Sequence, residues 1–535
     1  MEVVISKNKL AGLIKHLEKY SIHIILLVLS VCSILSWYLF FNNGLGLAYN
    51  DARSHLNIGR RVVEGLKPGL AQIGSVWLPL PHLLMVPTVW IDFMWHSGLS
   101  GSIQSMLSFI SIGVLIYLYL REIKVGLFAR FFGVFLFVVN LNVLYLQSTA
   151  MTEMLLLATM LAGCYYLMLW SKYEKVVDLV KSAGFIMLST LIRYDGWFLA
   201  FFATITVAFL AFKKMGYKAA EGVSIMFVTL AGIGISLWVL WNLMIFGDPL
   251  YFAFGPFSAH AQQAQLLAAG DLPTKGNLIL SAKVYLYALF YNSYTIPAIF
   301  GFLGALAFWL KKDNNINLRV SSSALFSPLI FNILALYLGH SVLFVQGISG
   351  NTWFNVRYGV MLAPTIAIFS AYLIDRLKDF RWLIVSLIVF VLFFAFLNYD
   401  AVTIDDATVG SSQKNVSEVS GWLKKNAAAK EGFVLISAAS HDAIIFSSGI
   451  SMSRFIHEGT GVYWESALTE PDRWARWIIM RTHDLNDLTF KKINKEALQL
   501  YYIKVDTYPF ADIYELKGDR LWNLTKVPVL RKQHE

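Results

Sequence analysis

The chain has 535 residues, of which 57% are hydrophobic and 15% charged, and its mean hydropathy is +0.58. A soluble protein of this size cannot bury so much apolar surface, so the composition excludes an ordinary soluble globular protein. In a soluble chain a net charge of +10 would indicate nucleic-acid binding. Here the basic residues lie between apolar segments, and we expect no nucleic-acid partner. The cysteines, Cys32 and Cys164, both lie in apolar segments, which argues against a disulfide framework or a cysteine metal site.

Apolar segments of about 20 residues, the length that a helix needs to cross a bilayer, recur through the first three quarters of the chain. They predict an α-helical polytopic membrane protein with about eleven transmembrane helices. The first segment is long and has no small-residue cleavage site after it, so it is predicted to be an anchor. Residues 78–95 are a candidate for a segment that dips into the membrane without crossing it. The predicted spans are 22–42, 101–120, 126–146, 150–170, 183–195, 196–212, 222–246, 294–310, 323–345, 356–375 and 382–398.

The distribution of lysine and arginine predicts the orientation. The N-terminal tail and alternate loops are basic, as in the loop with Lys172, Lys175 and Lys181, whereas the connections 140–150 and 346–355 contain no Lys or Arg. By the positive-inside rule the basic loops face the cytoplasm. With an odd number of spans the C-terminal segment is then on the extracytoplasmic side of the plasma membrane.

The composition changes after residue 398 and predicts two domains. Residues 1–398 are predicted to form a transmembrane catalytic domain with a large first outer loop at 43–100, and residues 399–535 a small extracytoplasmic α/β domain. In this domain the apolar patterns predict helices at 415–425, 441–447 and 471–481, and strands at 432–437, 500–505 and 513–516.

A polar stretch after the first span, Tyr49 to Arg61, carries the first chemical candidates. Asn50 or Asp51 is predicted to cap a helix, and Asp51 and His55, four residues apart, share one face of it. A carboxylate at the membrane edge could take a proton from a substrate while nearby cations, Arg53, Arg60 and Arg61, hold an anionic lipid head group. The alternative, an interfacial helix whose Asp only caps its own N-terminus, fits the stretch equally well.

Other charged residues lie at the predicted outer ends of spans, where polar groups are costly and are functional candidates by default. Each also has a structural alternative. A carboxylate can favour a helix N-terminus, neighbouring charges can form a structural ion pair, and an arginine can extend to lipid phosphates. The charged candidates are Glu153, Arg193, Asp195 and Arg357, and Tyr194 and Tyr358 next to the two arginines are candidates with them.

The order of these short motifs resembles that of the GT-C glycosyltransferases, in particular the protein O-mannosyltransferase and lipid A aminoarabinose transferase group. The motifs are the Asp after span one, a proline-rich element at 76–82, Met-Thr-Glu ending at Glu153, Arg-Tyr-Asp-Gly starting at Arg193, and Arg357-Tyr358. The resemblance covers about residues 1–380. It implies that Asp51 is the catalytic base and that Arg357 faces a lipid phosphate.

One departure concerns the residues beside Asp51. Many relatives carry a second acid there, but Ala52 and Arg53 follow in this chain. Glu153 or Asp195 is a candidate to supply the missing carboxylate.

The resemblance further implies the reaction and its partners. The implied reaction transfers a sugar, with inversion, from a polyprenyl-phosphate lipid to an acceptor hydroxyl on a glycan, lipid or protein. Membrane lipids are further expected partners. The expected substrate-binding residues are His55, Arg60, Glu153, Arg193, Tyr194, Asp195, Arg357 and Tyr358. Asp51, Glu153 and His260 are candidate ligands for a divalent cation, although no ligand spacing in the sequence establishes one.

Two other classes compete with this interpretation. A lipid-linked substrate flippase or secondary transporter would need charges along a path through the membrane and often has broken helices. The charges here lie at span ends, and no internal repeat is visible. A receptor-like or assembly subunit would use 399–535 as a binding module, but eleven spans exceed what an anchor requires.

Overall fold

The computed structural model describes residues 7–255, 258–268, 270, 272–311, 315–409, 416–482, 487–509 and 511–525. The helices up to the middle of the chain are α1 (Lys7–Asn42), α2 (Asn50–Val63), α3 (Leu80–Val89), α4 (Asp92–His96), α5 (Leu99–Glu122), α6 (Leu127–Val138), α7 (Leu141–Gln147), α8 (Glu153–Tyr173), α9 (Val176–Thr190), α10 (Asp195–Met215), α11 (Tyr217–Phe246), α12 (Tyr251–Phe254) and α13 (Ala259–Ala268). Those after it are α14 (Leu278–Ser293), α15 (Thr295–Leu310), α16 (Ile316–Ser322), α17 (Ser327–Leu338), α18 (Ala363–Arg376), α19 (Arg381–Leu397), α20 (Val402–Val409), α21 (Val416–Asn426), α22 (Ala438–Ser448), α23 (Val462–Thr469), α24 (Pro471–Trp474), α25 (Leu488–Lys492) and α26 (Lys495–Tyr501).

The chain forms two compact units. The membrane unit consists of Met1–Gly46 and Ser102–Asp406, and the α/β unit consists of Leu47–Gly101 and Ala407–Glu535. The first outer loop therefore belongs to the same unit as the C-terminal sheet. This grouping differs from the two predicted domains, which were divided at residue 398. A compact unit is defined by its contacts, and these contacts join residues that are distant in sequence.

The membrane unit confirms the predicted α-helical polytopic class. Eight described helices are long and apolar enough to cross a membrane, or up to ten if each of two bent helix pairs is one span. This number is below the predicted eleven. The fifth predicted span, 183–195, overlaps α9, which has 15 residues and is therefore about 22 Å long.

Helix α9 nevertheless carries the chain back between two ends of the helix bundle. At one end, Lys172 near the end of α8 contacts Glu122 at the end of α5 (Nζ–Oε2 2.9 Å), and Lys214 of α10 contacts Glu174 (Nζ–Oε1 2.7 Å). At the other end α8 begins at Glu153 and α10 begins at Asp195. The lysines and these acidic residues thus lie at opposite ends of the same helices.

Two pairs of consecutive helices in this unit are bent, and a hydrogen bond joins the two bends. Helices α6 and α7 are bent by 64°, and α14 and α15 by 109°. The Asn140 side chain caps α7 by accepting hydrogen bonds from the backbone of Asn142 and Val143, and donates to the Asn292 carbonyl near the end of α14 (2.8 Å). Helix α14 lies between the predicted spans 222–246 and 294–310, where no span was predicted, so the sequence missed this helix.

The α/β unit confirms the predicted C-terminal α/β region. The strands among its described residues are β1 (Phe433–Ile436), β2 (Phe455–Ile456), β3 (Ala475–Met480), β4 (Tyr502–Thr507) and β5 (Asp512–Leu516). They form one sheet in the order β2-β1-β3-β5-β4, with β1 parallel to β2 and β3, and with β5 antiparallel to β3 and β4.

One predicted element of this unit is wrong. The helix predicted at 471–481 is only the short α24 followed by the strand β3. Trp477, Ile478 and Ile479 of this strand are fully buried. A strand buried on both faces has a continuous apolar sequence, which does not distinguish it from a buried helix.

Candidate functional site

A buried carboxylate between two arginines forms the centre of the candidate site in the membrane unit. Glu153, the first residue of α8, is fully buried, and its Oε1 accepts hydrogen bonds from Arg357 Nε (3.0 Å) and Arg193 Nη1 (3.3 Å). Burying a charge without partners is costly. The two guanidinium groups therefore supply the partners that a carboxyl group buried at this position requires.

Further carboxylates extend this cluster. Arg193 Nε lies 3.4 Å from Asp195 Oδ2, and Arg357 Nη1 lies 3.9 Å from Asp406 Oδ2. Two guanidinium groups thus face three carboxylates. Glu153 Oε2 and Asp195 Oδ1 are buried and have no hydrogen-bond partner among the described residues. Buried polar atoms normally have partners, so these two oxygens are suited to accept hydrogen bonds from a ligand.

The ring of Tyr358 completes the cluster. The guanidinium carbons of Arg193 and Arg357 lie 4.6 Å and 5.3 Å from its centroid. A planar guanidinium over an aromatic face is stabilised by the cation–π interaction. Because both arginines use the same ring, Tyr358 fixes their side chains near one another.

The backbone that carries Arg357 is held tightly against α14. Arg357 lies in a 3-10 helical turn, Val356–Leu362, whose Val356 carbonyl accepts a hydrogen bond from Asn292 Nδ2 (2.7 Å). A Cβ atom at Gly359 would lie 2.2 Å from the Ala288 carbonyl oxygen. Only glycine permits this close approach, which explains the glycine after Arg357-Tyr358.

The Arg-Tyr-Asp-Gly motif forms the tight connection from α9 to α10. A Cβ atom at Gly196 would lie 2.3 Å from the Ser189 carbonyl group, so the two helices approach as closely as their backbones allow. The Tyr194 ring packs on Trp197 and Phe252, with centroids 5.3 Å and 6.0 Å away. The motif thus positions Arg193 and Asp195 at the start of α10.

In the α/β unit, Asp51 lies in the first turn of α2 and is half-buried. The N-cap position of α2 is Tyr49, whose side chain makes no capping hydrogen bond, so neither Asn50 nor Asp51 occupies the predicted N-cap position. His55 is buried, and its Nδ1 lies 2.9 Å from His82 Nε2 of α3. Burial, with a contribution from a nearby guanidinium, lowers the pKa of His82 to about 3, so this ring is neutral at physiological pH.

Arg60 of α2 makes several contacts inside the α/β unit. It donates to the Asp92 carboxylate (2.7 Å) and the Val89 carbonyl (2.8 Å), and it also pairs with Glu64. Its guanidinium carbon lies 4.7 Å from the centroid of the Trp95 ring. These contacts hold Arg60 against the segment 89–92, and substrate binding by Arg60 stays a prediction.

The described residues do not fit a bound metal ion. Among them no group of three or more His, Cys, Asp or Glu side chains could hold one. Of the candidate ligands, His260 is an exposed residue of α13 whose ring packs edge-on against Phe254, and Glu153 Oε1 is already bound by two guanidinium groups. We therefore derive no step through a metal.

Comparison with solved structures shows that the chain has the GT-C fold implied by its motifs. ArnT from Cupriavidus metallidurans bound to undecaprenyl phosphate matches with a TM-score of 0.56 and 10% identity, over 92% of this chain and 98% of that chain. Apo ArnT from the same organism matches with a TM-score of 0.53 and 11% identity, over 91% and 99%. At such identities the likeness shows the fold alone.

An oligosaccharyltransferase from Archaeoglobus fulgidus, in complex with Zn and sulfate, matches with 13% identity over 91% of this chain and 72% of that chain. Its TM-score is 0.48. No protein-family model and no curated protein matches the chain.

Five of the residues singled out in the sequence meet in one cluster: Glu153, Arg193, Asp195, Arg357 and Tyr358. Sequence reasoning missed Asp406, which follows the last span and was assigned to the C-terminal domain. It also missed Asn292, which lies in the unpredicted helix α14. An acid soon after a span was the available signal for Asp406.

Proposed function

We propose that this chain is a membrane glycosyltransferase that transfers a sugar from a polyprenyl-phosphate donor to an acceptor hydroxyl, with inversion. The GT-C fold supports this class, and one of the similar structures, that of ArnT, holds undecaprenyl phosphate. The observation that carries the proposal is the buried cluster of Glu153, Arg193 and Arg357. Buried paired charges at the ends of apolar helices are costly and are commonly functional.

Arg357 and Arg193 are the proposed phosphate-binding residues. A guanidinium can hold one anion through Nε and another through its Nη groups, because it has five N–H donors in a planar fork. Glu153 then keeps both guanidinium groups in place before the lipid arrives. As the phosphate leaves the sugar, the two cations stabilise the negative charge that collects on its oxygens.

Glu153 Oε2 and Asp195 Oδ1, which have no hydrogen-bond partner in the described part of the chain, are proposed to bind the sugar. Carboxylates accept hydrogen bonds from hydroxyl groups, and these acceptors lie in the same cluster as the proposed phosphate ligands. His55 and Tyr194 keep their assignment as substrate-binding residues within the proposal. The identity of the sugar would depend on which hydroxyls reach these oxygens.

Asp51 is the proposed general base. Its carboxylate takes the proton of the acceptor hydroxyl as that oxygen forms a bond to the anomeric carbon. The bond between the anomeric carbon and the phosphate oxygen breaks, and the polyprenyl phosphate leaves with the electron pair. One displacement inverts the configuration at the anomeric carbon.

The experiment that tests the proposal uses purified protein in lipid vesicles with a panel of labelled polyprenyl-phosphate sugars. We expect polyprenyl phosphate to appear as a product, slowly with water as acceptor and faster with a hydroxyl acceptor. Donor that stays intact with every sugar and acceptor of the panel would contradict the proposal.

A lipid flippase is the second candidate, because two helix pairs are bent by 64° and 109° and broken helices are frequent in transporters. The same vesicles distinguish the two functions. A flippase would move labelled donor between the leaflets and leave its sugar–phosphate bond intact.

The α/β unit is proposed to lie on the extracytoplasmic side, as the basic loops predict. Single cysteines at the exposed positions Ala429 and Thr469, with Cys32 and Cys164 replaced, are expected to react with an impermeant maleimide in intact cells. A cysteine at Lys218, in a predicted cytoplasmic loop, serves as the control and should react only after permeabilisation. Labelling of Ala429 and Thr469 cysteines only after permeabilisation would place the unit in the cytoplasm.

A further inference from the structure

We propose that Asp442 is a positioning residue that fixes α2, and with it Asp51, to the C-terminal sheet. Asp442 lies on α22 and accepts hydrogen bonds from Arg61 Nη1 (3.0 Å) and Asn57 Nδ2 (2.9 Å) through the same Oδ1. Asn57 Nδ2 also donates to the Asp442 carbonyl (2.7 Å). The Asn57 side chain is fully buried, and those of Arg61 and Asp442 are only 11% and 12% exposed.

The contacts lie on one face of the helical segment. Asn57, Arg61 and Glu64 are spaced by four and three residues, which places them on one side of a helix. Glu64, at the C-terminal cap of α2, accepts hydrogen bonds from Ser451 Oγ (2.7 Å) and the Met452 backbone (3.0 Å). Contacts to the C-terminal part of the chain at two points along this face restrict both the rotation and the translation of α2.

The opposite side of α2 is held by the first outer loop itself. His55 contacts His82, and a Cβ atom at Gly59 would lie 3.3 Å from the Met85 side chain. The helix is thus held between α3 and α22, and Asp442 is the anionic contact on the α22 side.

The kink in α22 presents Asp442 to α2. His441 has non-helical backbone angles (φ −137°, ψ 21°), and its Nε2 lies 2.8 Å from Asp487 Oδ2, with both side chains fully buried. Asp487 also accepts a hydrogen bond from the Arg481 backbone, directly after β3 (2.9 Å). A continuous series of contacts therefore connects the end of a central strand to α2.

The consequence for Asp51 follows from helix geometry. Asp51 precedes Asn57 by six residues, about 9 Å along a helix axis, so a shift of α2 moves Asp51 with it. A misplacement of a catalytic group by about 1 Å can lower a rate about 100-fold. The inference rests on the proposed function for its effect on turnover, but the anchoring of α2 can be measured independently.

The test compares full-length variants by transfer kinetics and by amide hydrogen exchange in α2. For Asp442→Asn and Arg61→Met we expect at least a tenfold lower kcat, a donor KM within about twofold of wild type, and faster exchange across Asn50–Val63. Arg61→Lys retains the positive charge and should recover most of both losses. If Arg61 only filled space, Arg61→Lys and Arg61→Met would have the same kcat and the same exchange in α2.

The matched control is Glu515→Gln. Glu515 pairs with Arg476 in the same unit (Oε1–Nε 3.3 Å), between β5 and β3. This variant should leave kcat and α2 exchange unchanged. Wild-type exchange in α2 for both Asp442→Asn and Arg61→Met would overturn the inference whether or not the chain transfers sugar. Absence of transfer by the wild-type protein would instead count against the proposed function.

Discussion

Replacing Asp51 by Asn is expected to lower the rate of sugar transfer by about 10²- to 10⁴-fold, the usual contribution of a general base. The substitution retains the size of the side chain and removes its basicity. Asp51 is half-buried in the first turn of α2, so the substitution is made at a position that already holds a side chain of this size. The measurement is kcat with a saturating polyprenyl-phosphate sugar donor.

Two controls accompany this measurement. Asp519→Asn makes the same chemical change at an exposed position of the same unit and should leave kcat unchanged. Binding of the donor lipid to Asp51→Asn should match that of the wild-type protein, because Asp51 is assigned to the acceptor. Turnover of Asp51→Asn within about twofold of wild type would exclude Asp51 as the base.

Replacing Arg357 by Lys is expected to weaken binding of the donor lipid about 10- to 100-fold, the effect of losing one charge-assisted hydrogen bond of a bidentate pair. Lysine keeps the charge but lacks the planar fork that can hold Glu153 and a phosphate together. Donor affinity can be measured by titration of the purified protein with the lipid.

Arg130→Lys is the matched control for Arg357→Lys. Arg130 is also a largely buried arginine of the membrane unit that pairs with a glutamate, Glu18 (Nη1–Oε1 2.8 Å). It lies in the first turn of α6, at the same end of the helix bundle as Lys172 and Lys214, where no phosphate binding is proposed. Equal donor affinity of Arg357→Lys, Arg130→Lys and wild type would mean that Arg357 has only a structural role.

The sequence was sufficient to predict five residues of the candidate cluster, although not Asp406, because those five lie at the ends of predicted spans. Charges at the ends of apolar segments, combined with the alternation of basic loops, place Glu153, Arg193 and Arg357 at one level. Within each segment, the regular spacing of a helix then positions each residue without further information. The glycines at 196 and 359 could be identified in the motifs, but the close backbone contacts that require them appear only in the structure.

Contacts between distant parts of the chain could not be predicted. Asn57 and Asp442 are 385 residues apart in sequence, and neither has a local pattern that indicates the other. The same limit explains why helix α14 was missed, because its Asn292 contacts Asn140 and Val356, which are 152 and 64 residues away in the sequence. It also explains β3, where a buried apolar run fits a helix and a strand equally well.

The measurement that tests the account most directly is a structure of the protein with bound polyprenyl phosphate. We predict that the phosphate oxygens lie within hydrogen-bonding distance of the Arg357 and Arg193 guanidinium groups, with Glu153 still contacting at least one of them. A phosphate bound elsewhere, with the Arg357–Glu153 and Arg193–Glu153 contacts unchanged at 3.0 Å and 3.3 Å, would contradict the proposed site.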